Sequence, residues 1–230
     1  KHVLRRQFLQ QYNLAFRTQT EKFNSNLVVN YRRDNNGIVQ SYDNQVNIAY
    51  RVFYDMKKWL SVNFGATGII SKIKESASEY ATDPFGVPPY TRLLNDDGSY
   101  NYYSTGMFNH YYTKDDEDSA LKTMNFNHLE ELGYDQKITD RRNMRYQGEL
   151  VFKIIDGLTV NTSFIYETER QNISNYSEAD SYVMRMLRNY YTQGPGQYLI
   201  PENGGKLTTE DTRGDYWTAR GQLNLQRTFA

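Results

Sequence analysis

The 230-residue chain balances 27 basic against 27 acidic residues and contains no cysteine, so it lacks the electrostatic footprint of a nucleic-acid binder, a disulfide framework and a thiolate metal site. Only 38% of its residues are hydrophobic, yet 15% are aromatic and 21 are tyrosine, which is too aromatic for a disordered chain and too polar for an ordinary compact globule. Such a mixture suits sheets with one wet face, or a membrane β-barrel with a polar lumen. No apolar run reaches the length of a spanning helix. Lys1 opens the chain with no signal-peptide pattern behind it, and a strand pattern begins within about ten residues. The expectation is an internal segment of a longer polypeptide, all of it within one β domain.

Strict alternation, which places successive side chains on opposite faces of a strand, predicts seven strands in chain order. Tyr12, Leu14 and Phe16 alternate with Gln11, Asn13, Ala15 and Arg17. Leu27, Val29 and Tyr31 then alternate with Asn26, Asn30 and Arg32, with Val28 breaking the polar side. The third set is Val46, Ile48, Tyr50, Val52 and Tyr54 against Asn47, Ala49, Arg51 and Asp55; the fourth is Leu60, Val62, Phe64 and Ala66 against Ser61, Asn63 and Thr67. After a long gap, Tyr146, Leu150, Phe152 and Ile154 oppose Gln147, Glu149 and Lys153. Leu158, Val160, Phe164 and Tyr166 oppose Thr159, Asn161, Ser163 and Glu167, and lastly Trp217, Ala219, Leu223 and Leu225 oppose Thr218, Arg220, Gln222, Asn224 and Gln226.

Alternation does not say which face meets what, because a soluble sandwich and a membrane barrel invert the same pattern. The connections say more. Short turns are expected at Thr20-Glu21-Lys22, Met56-Lys57-Lys58 and Asp156-Gly157, the last a favoured hairpin dipeptide. Long connections are expected over 33–44, 71–143 and 170–214. Alternating short and long links are the habit of outer-membrane barrels, whose tight turns are periplasmic and whose loops are external. Trp59 beside a short turn, and Tyr31 and Tyr166 near long loops, stand where aromatic girdles belong. Within the last loop, Ser177 and Asp180 resemble a capping box, and Val183, Met186, Leu187 and Tyr190 recur at helical spacing, so a loop-packing helix is expected over 178–191.

Little here points to bond chemistry. The acidic run from Asp115 to Asp118 has oxygen ligands for calcium but not a calcium-loop spacing, which favours a solvated loop crest. Asp34-Asn35-Asn36-Gly37 and Asp96-Asp97-Gly98 suit turns, since Asn, Asp and Gly tolerate positive φ. His2, His110 and His128 lack second ligands at metal spacing, and no glycine-rich phosphate loop is present. Glu130 and Glu131, taken as neighbours on a strand, point oppositely and form no acid pair for glycoside hydrolysis. Neither an enzyme, a cofactor nor a metal is expected. The residues that suggest ligand contact are loop aromatics: Tyr102 and Tyr103, Tyr111 and Tyr112, Tyr190 and Tyr191 could stack on sugars or pack on peptide side chains, or simply pack the loops together.

Several segments resemble the barrel of SusC/RagA-family TonB-dependent transporters. They are Gln10-Gln11-Tyr12-Asn13-Leu14, Thr20-Glu21-Lys22, Tyr31 with Gly37-Ile38-Val39, and Lys58-Trp59-Leu60. Further along, Asp97-Gly98-Ser99-Tyr100 resembles the family's aspartate-glycine turn. Asn127-His128-Leu129 through Tyr146-Gln147-Gly148-Glu149-Leu150 to Asp156-Gly157-Leu158 is similar to its next hairpin, with His128 where the family usually has proline. Ala219-Arg220-Gly221-Gln222-Leu223-Asn224 resembles a later strand. The resemblance covers most of the chain in order. It implies an antiparallel transmembrane barrel of about 22 strands with a plugged lumen, in the bacterial outer membrane. It also implies a SusD-like surface lipoprotein as lid, energy from the TonB complex through parts of the protein outside this segment, and import of an oligosaccharide or peptide. On that reading Arg17, Asn47, Arg51, Asn161 and Arg220 face the lumen and the plug, while the outward Leu, Val, Phe and Tyr meet outer-membrane lipid; nucleic acid is no partner. The alternative of another class is a soluble carbohydrate-binding β-sheet domain using exposed tyrosines.

Overall fold

The computed structural model describes residues 4–76, 90–102, 121–194 and 197–226. Seven strands form one antiparallel sheet in sequence order: β1 (Leu9–Gln19), β2 (Phe23–Asp34), β3 (Tyr42–Lys57), β4 (Leu60–Ser76), β5 (Asp135–Ile155), β6 (Leu158–Ser177) and β7 (Lys206–Leu225). The sheet is open, with β1 and β7 as its edges. Two helices stand in the long connections, α1 (His128–Tyr134) ahead of β5 and α2 (Tyr182–Tyr191) between β6 and β7. Neither helix is long and apolar enough to cross a membrane, which says nothing about strands.

All seven expected strands are present, and the three short turns fall where Thr20, Lys58 and Asp156 sit. The hairpin turn after Asp156 needs Gly157, which adopts φ +83 and lies against the Gln226 carbonyl; a β-carbon there would stand 2.2 Å from that oxygen. At the opposite end, Asn36 and Gly37 take φ 53 and 68 in the tight β2–β3 connection, the turn expected there. Asp34 stabilises it by accepting the Asn36 amide at 2.9 Å, with Gln7 and Arg32 also donating.

Three expectations are corrected. The strands run well past their apolar stretches, so the long connections begin later and end earlier than 33–44, 71–143 and 170–214; polar residues such as Arg141 to Gln171 and Asn172 to Asp211 still pair across the ladder. Backbone hydrogen bonding extends a strand wherever a neighbour continues, whatever its side chains. Second, the last helix starts at Tyr182, capped by the Ser181 hydroxyl accepting the Met184 amide, because Ser177 is still paired in β6. Third, two loops rather than one contain a helix. Glu130 and Glu131 lie on α1, whose N-cap Asn127 accepts the Leu129 amide at 2.9 Å.

The buried apolar residues among those described are not in the sheet. Met124, Phe126 and Tyr182 cluster at the long-loop end, where Phe126 meets Tyr182 edge to face at 5.4 Å, and Leu132 and Met184 are buried on the two helices.

Candidate functional site

Register sorts the sheet into two faces. Following hydrogen-bonded partners from Phe16 gives the row Leu27, Tyr50, Ala66, Tyr146, Tyr166 and Trp217, all on one face. Apolar residues of the neighbouring rows also lie open: Leu14 is 60% exposed, Phe164 50% and Leu223 67%. No described residue covers this face. Exposed apolar surface of such extent marks a contact with something else.

The apolar band is oblique to the strands. Its middle lies at Leu14 in β1, Leu27 in β2, Tyr50 in β3, residue 65 in β4, residue 149 in β5, Thr162 in β6 and Gly221 in β7. The hydrogen-bonded row through Leu14, however, ends at Asp215. From 215 to 221 is six residues over six strand steps, or one residue per step. With a rise of about 3.3 Å per residue and strands about 4.8 Å apart, a level band requires strands tilted by roughly 35°. Aromatic pairs mark its borders. Tyr12 stacks on Tyr31 and Tyr146 on Tyr166 at the long-loop border, at 6.3 and 6.5 Å; Trp59 stacks on Phe152 at 6.3 Å beside the short turns.

The opposite face is polar and bonded to itself. Arg17, Asn47, Arg51, Asn161 and Arg220, spread over four strands, share it. Asn30 donates to Asn13 and Asn47 to Asn30, and Gln45 donates to Asn47 at 2.7 Å, making an amide ladder across three strands. Asn63 donates to Glu149 at 2.9 Å, Arg145 pairs with Glu167 at 3.1 Å, and Arg220 donates to Gln222 at 2.9 Å. A hollow of about 570 Å³ opens on Asn26, Arg51, Asn63, Gln147 and Glu149. Among the described residues, buried side-chain oxygens of Asn26, Asn143 and Asn161 have no hydrogen-bond partner. Such groups call for water or a further polar surface.

At the long-loop end the two helix-bearing loops are clasped together. Glu131, fully buried, accepts the Tyr182 amide at 2.9 Å and the Arg185 guanidinium at 2.9 Å. Arg185 also donates to the carbonyls of Thr123 and Asn125, and Asn189 exchanges hydrogen bonds with both backbone groups of Lys122. Asn127 reaches the carbonyls of Leu93 and Asn101, tying in the segment that carries Tyr102. Burial pushes the Glu131 carboxyl up to about 7, against the Tyr182 amide and the Arg185 charge. The stripe expected to pack the helix is only partly used: Val183 and Leu187 are half-buried and Met186 and Tyr190 exposed, while α2 buries Tyr182, Met184, Arg185, Arg188 and Asn189. This face turns inward because Arg185 and Asn189 satisfy backbone groups of Lys122, Thr123 and Asn125 that burial would otherwise leave unpaired.

Of the loop aromatics, Tyr102 is exposed and its hydroxyl, like that of Tyr134, donates to Glu130 at 3.1 Å. Tyr190 and Tyr191 meet edge to face at 5.1 Å on the outside of α2. Tyr103, Tyr111, Tyr112, His2, His110 and the 115–118 acidic run lie outside the described residues. His128 packs edge to face on Phe126 at 4.8 Å. Sequence reasoning missed Glu131, Arg185 and Asn189; the capping-box spacing of Asn127 and Glu130 was the one local signal for α1. No protein-family model matches the chain, and no curated protein matches it either.

Proposed function

We propose that this chain forms part of the wall of an outer-membrane β-barrel transporter of the SusC-like, TonB-dependent kind, which imports large nutrients, glycans or peptides, beneath a SusD-like lipoprotein lid. The observation that carries the membrane reading is the bare apolar band, bordered by aromatic pairs and level only when the strands tilt by roughly 35°, the tilt of membrane barrels. A soluble sheet would bury that face. The self-bonded polar face suits a lumen, where its unpartnered amide oxygens would find water or a plug. The clasped loops suit the outer surface, with Tyr102, Tyr190 and Tyr191 toward ligand or lid. Binding and movement, in this reading, replace bond chemistry. TonB would act through parts of the protein outside this chain.

These 230 residues hold no cysteine, so a cysteine introduced among them is the one thiol of this part of the protein. Spin labels at Ile48 and Phe164 of the intact protein in bilayers are expected to be reached by oxygen and shielded from a water-soluble relaxant. Labels at Asn47 and Asn161 are expected to show the reverse. Water access on both faces would overturn the membrane reading.

A further inference from the structure

Arg142, Arg170 and Arg213 stand directly opposite one another on β5, β6 and β7, in one hydrogen-bonded row. The row lies on the apolar face, four residues beyond Tyr146, Tyr166 and Trp217 toward the long loops. All three side chains are exposed. Like charges placed opposite across strands repel, so such a row is costly unless an anion lies among them. The nearby carboxylates are engaged elsewhere or stand further out. Asp215 accepts the Tyr166 hydroxyl at 2.9 Å and is near enough to feel the Arg170 charge, Asp211 accepts from Asn172 at 2.7 Å, and Asp140 stands opposite Lys72, a row further from the band than Arg142.

The row is part of a wider collar once strand tilt is taken into account. Arg33 lies six residues from the middle of the band on β2, Lys72 seven on β4, Arg142 seven on β5, and Arg170 and Arg213 eight on β6 and β7. Five of seven strands thus place a cation on the apolar face at one height, where the acids on that face are Asp215 and, directly opposite Lys72, Asp140. On strands tilted by roughly 35°, six to eight residues correspond to roughly 16–22 Å from the middle of the band. The headgroup layer of a bilayer occupies about 15–22 Å from its midplane. A lumen-facing or ligand-facing cluster would lie on the other face.

We propose that Arg33, Lys72, Arg142, Arg170 and Arg213 form a collar that binds the phosphate groups of anionic lipid headgroups in the leaflet on the long-loop side. The proposal rests on the membrane reading above. Guanidinium forks take phosphate oxygens in pairs, so the three aligned arginines form the strongest part of the collar.

Neighbouring residues give the test, because Arg141 and Arg142 point to opposite faces and Arg141 bonds to Gln171 on the polar one. Binding of phosphatidic acid to the detergent-solubilised intact protein would be measured by native mass spectrometry, with phosphatidylcholine and inorganic phosphate as comparison probes. Each of Arg142→Gln, Arg170→Gln and Arg213→Gln is expected to weaken phosphatidic acid binding by roughly fivefold, while Arg141→Gln leaves it unchanged. Charge-keeping Arg170→Lys is expected to retain most binding, and covers the case in which a glutamine variant fails to assemble. Equal loss from Arg141→Gln, or no loss in an assembled collar variant, would overturn the proposal. So would inorganic phosphate displacing the lipid at millimolar concentration, which would mark a free-anion site. If spin labels at Ile48 and Phe164 report lipid while binding ignores the collar, this proposal alone fails; if they report water, the membrane reading falls and takes the collar with it.

Discussion

Glu131 and Arg185 meet at 2.9 Å in a place closed to water, and the contact joins two loops whose residues are 54 positions apart. Neither partner has an adequate substitute. Glu131 also holds the first amide of α2, and Arg185 holds two carbonyls of the segment leading to α1. The pair is the central fastening of the cap over the long-loop end of the sheet.

Breaking it leaves a buried charge without its partner. Arg185→Ala or Glu131→Ala is therefore expected to destabilise the cap by about 3–5 kcal/mol while the sheet stays intact. Hydrogen exchange resolved by segment checks this: protection falls over 121–134 and 178–194 and holds in β3 and β4. Loss of protection throughout the sheet would show that the cap and the sheet fold as one unit.

The same carboxyl makes the cap sensitive to acidity. Burial raises Glu131 from 4.5 to about 7, so the closed cap holds the proton more firmly than the opened one. That contribution is fully present below pH 4.5, and it is lost as pH rises through about 7. Limited proteolysis of the loops is expected to be slower at pH 5 than at pH 8, and Glu131→Gln is expected to flatten the difference. An opposite slope would mean that the Arg185 charge outweighs burial.

The two faces of the sheet should respond oppositely to charge. Ile48 and Phe164 lie near the middle of the apolar band, and arginine at either is expected to cost about 2–4 kcal/mol in the intact protein. Arginine at Asn47 or Asn161 is expected to assemble nearly normally. Heat-modifiable migration of the assembled barrel is the measurement, and equal tolerance on both faces would count against lipid contact.

Gly157 carries a local constraint. Its φ of +83 and the neighbouring Gln226 carbonyl leave no room for a β-carbon, so Gly157→Val is expected to destabilise the β5–β6 hairpin. Strain of this kind is typically about 1–3 kcal/mol. Asp156→Asn, which keeps turn chemistry, is expected to be close to neutral by the same unfolding assay.

Recognition is expected at the clasped loops. Tyr190→Ala and Tyr191→Ala remove aromatics from the outer side of α2 and are expected to weaken ligand capture or lid binding, each by about 0.5–1.5 kcal/mol where the ring stacks on ligand. Deleting residues 103–120 while keeping Lys122, whose backbone Asn189 holds, is expected to leave assembly intact and reduce the same step. Unchanged uptake and lid binding in both variants would place recognition elsewhere.

The sequence by itself determined the number of strands, their order of appearance, the three tight turns and the sorting of side chains into two faces. These follow from local rules: period-2 alternation at Val46, Ile48 and Tyr50 against Asn47 and Arg51, and turn chemistry at Asp156-Gly157. Strand ends escaped it, because polar residues such as Asn172 and Asp211 pair only when a neighbouring strand is there to meet them. The seven-residue α1 is too short to declare a helical period. The Val183, Met186, Leu187 and Tyr190 stripe misled, since the buried side of α2 also had to satisfy distant backbone groups. Only tertiary structure could place Arg185 beside Glu131, align three arginines across β5, β6 and β7, and show the apolar band sliding one residue per strand. Each depends on register between segments far apart in the chain, which no local pattern encodes.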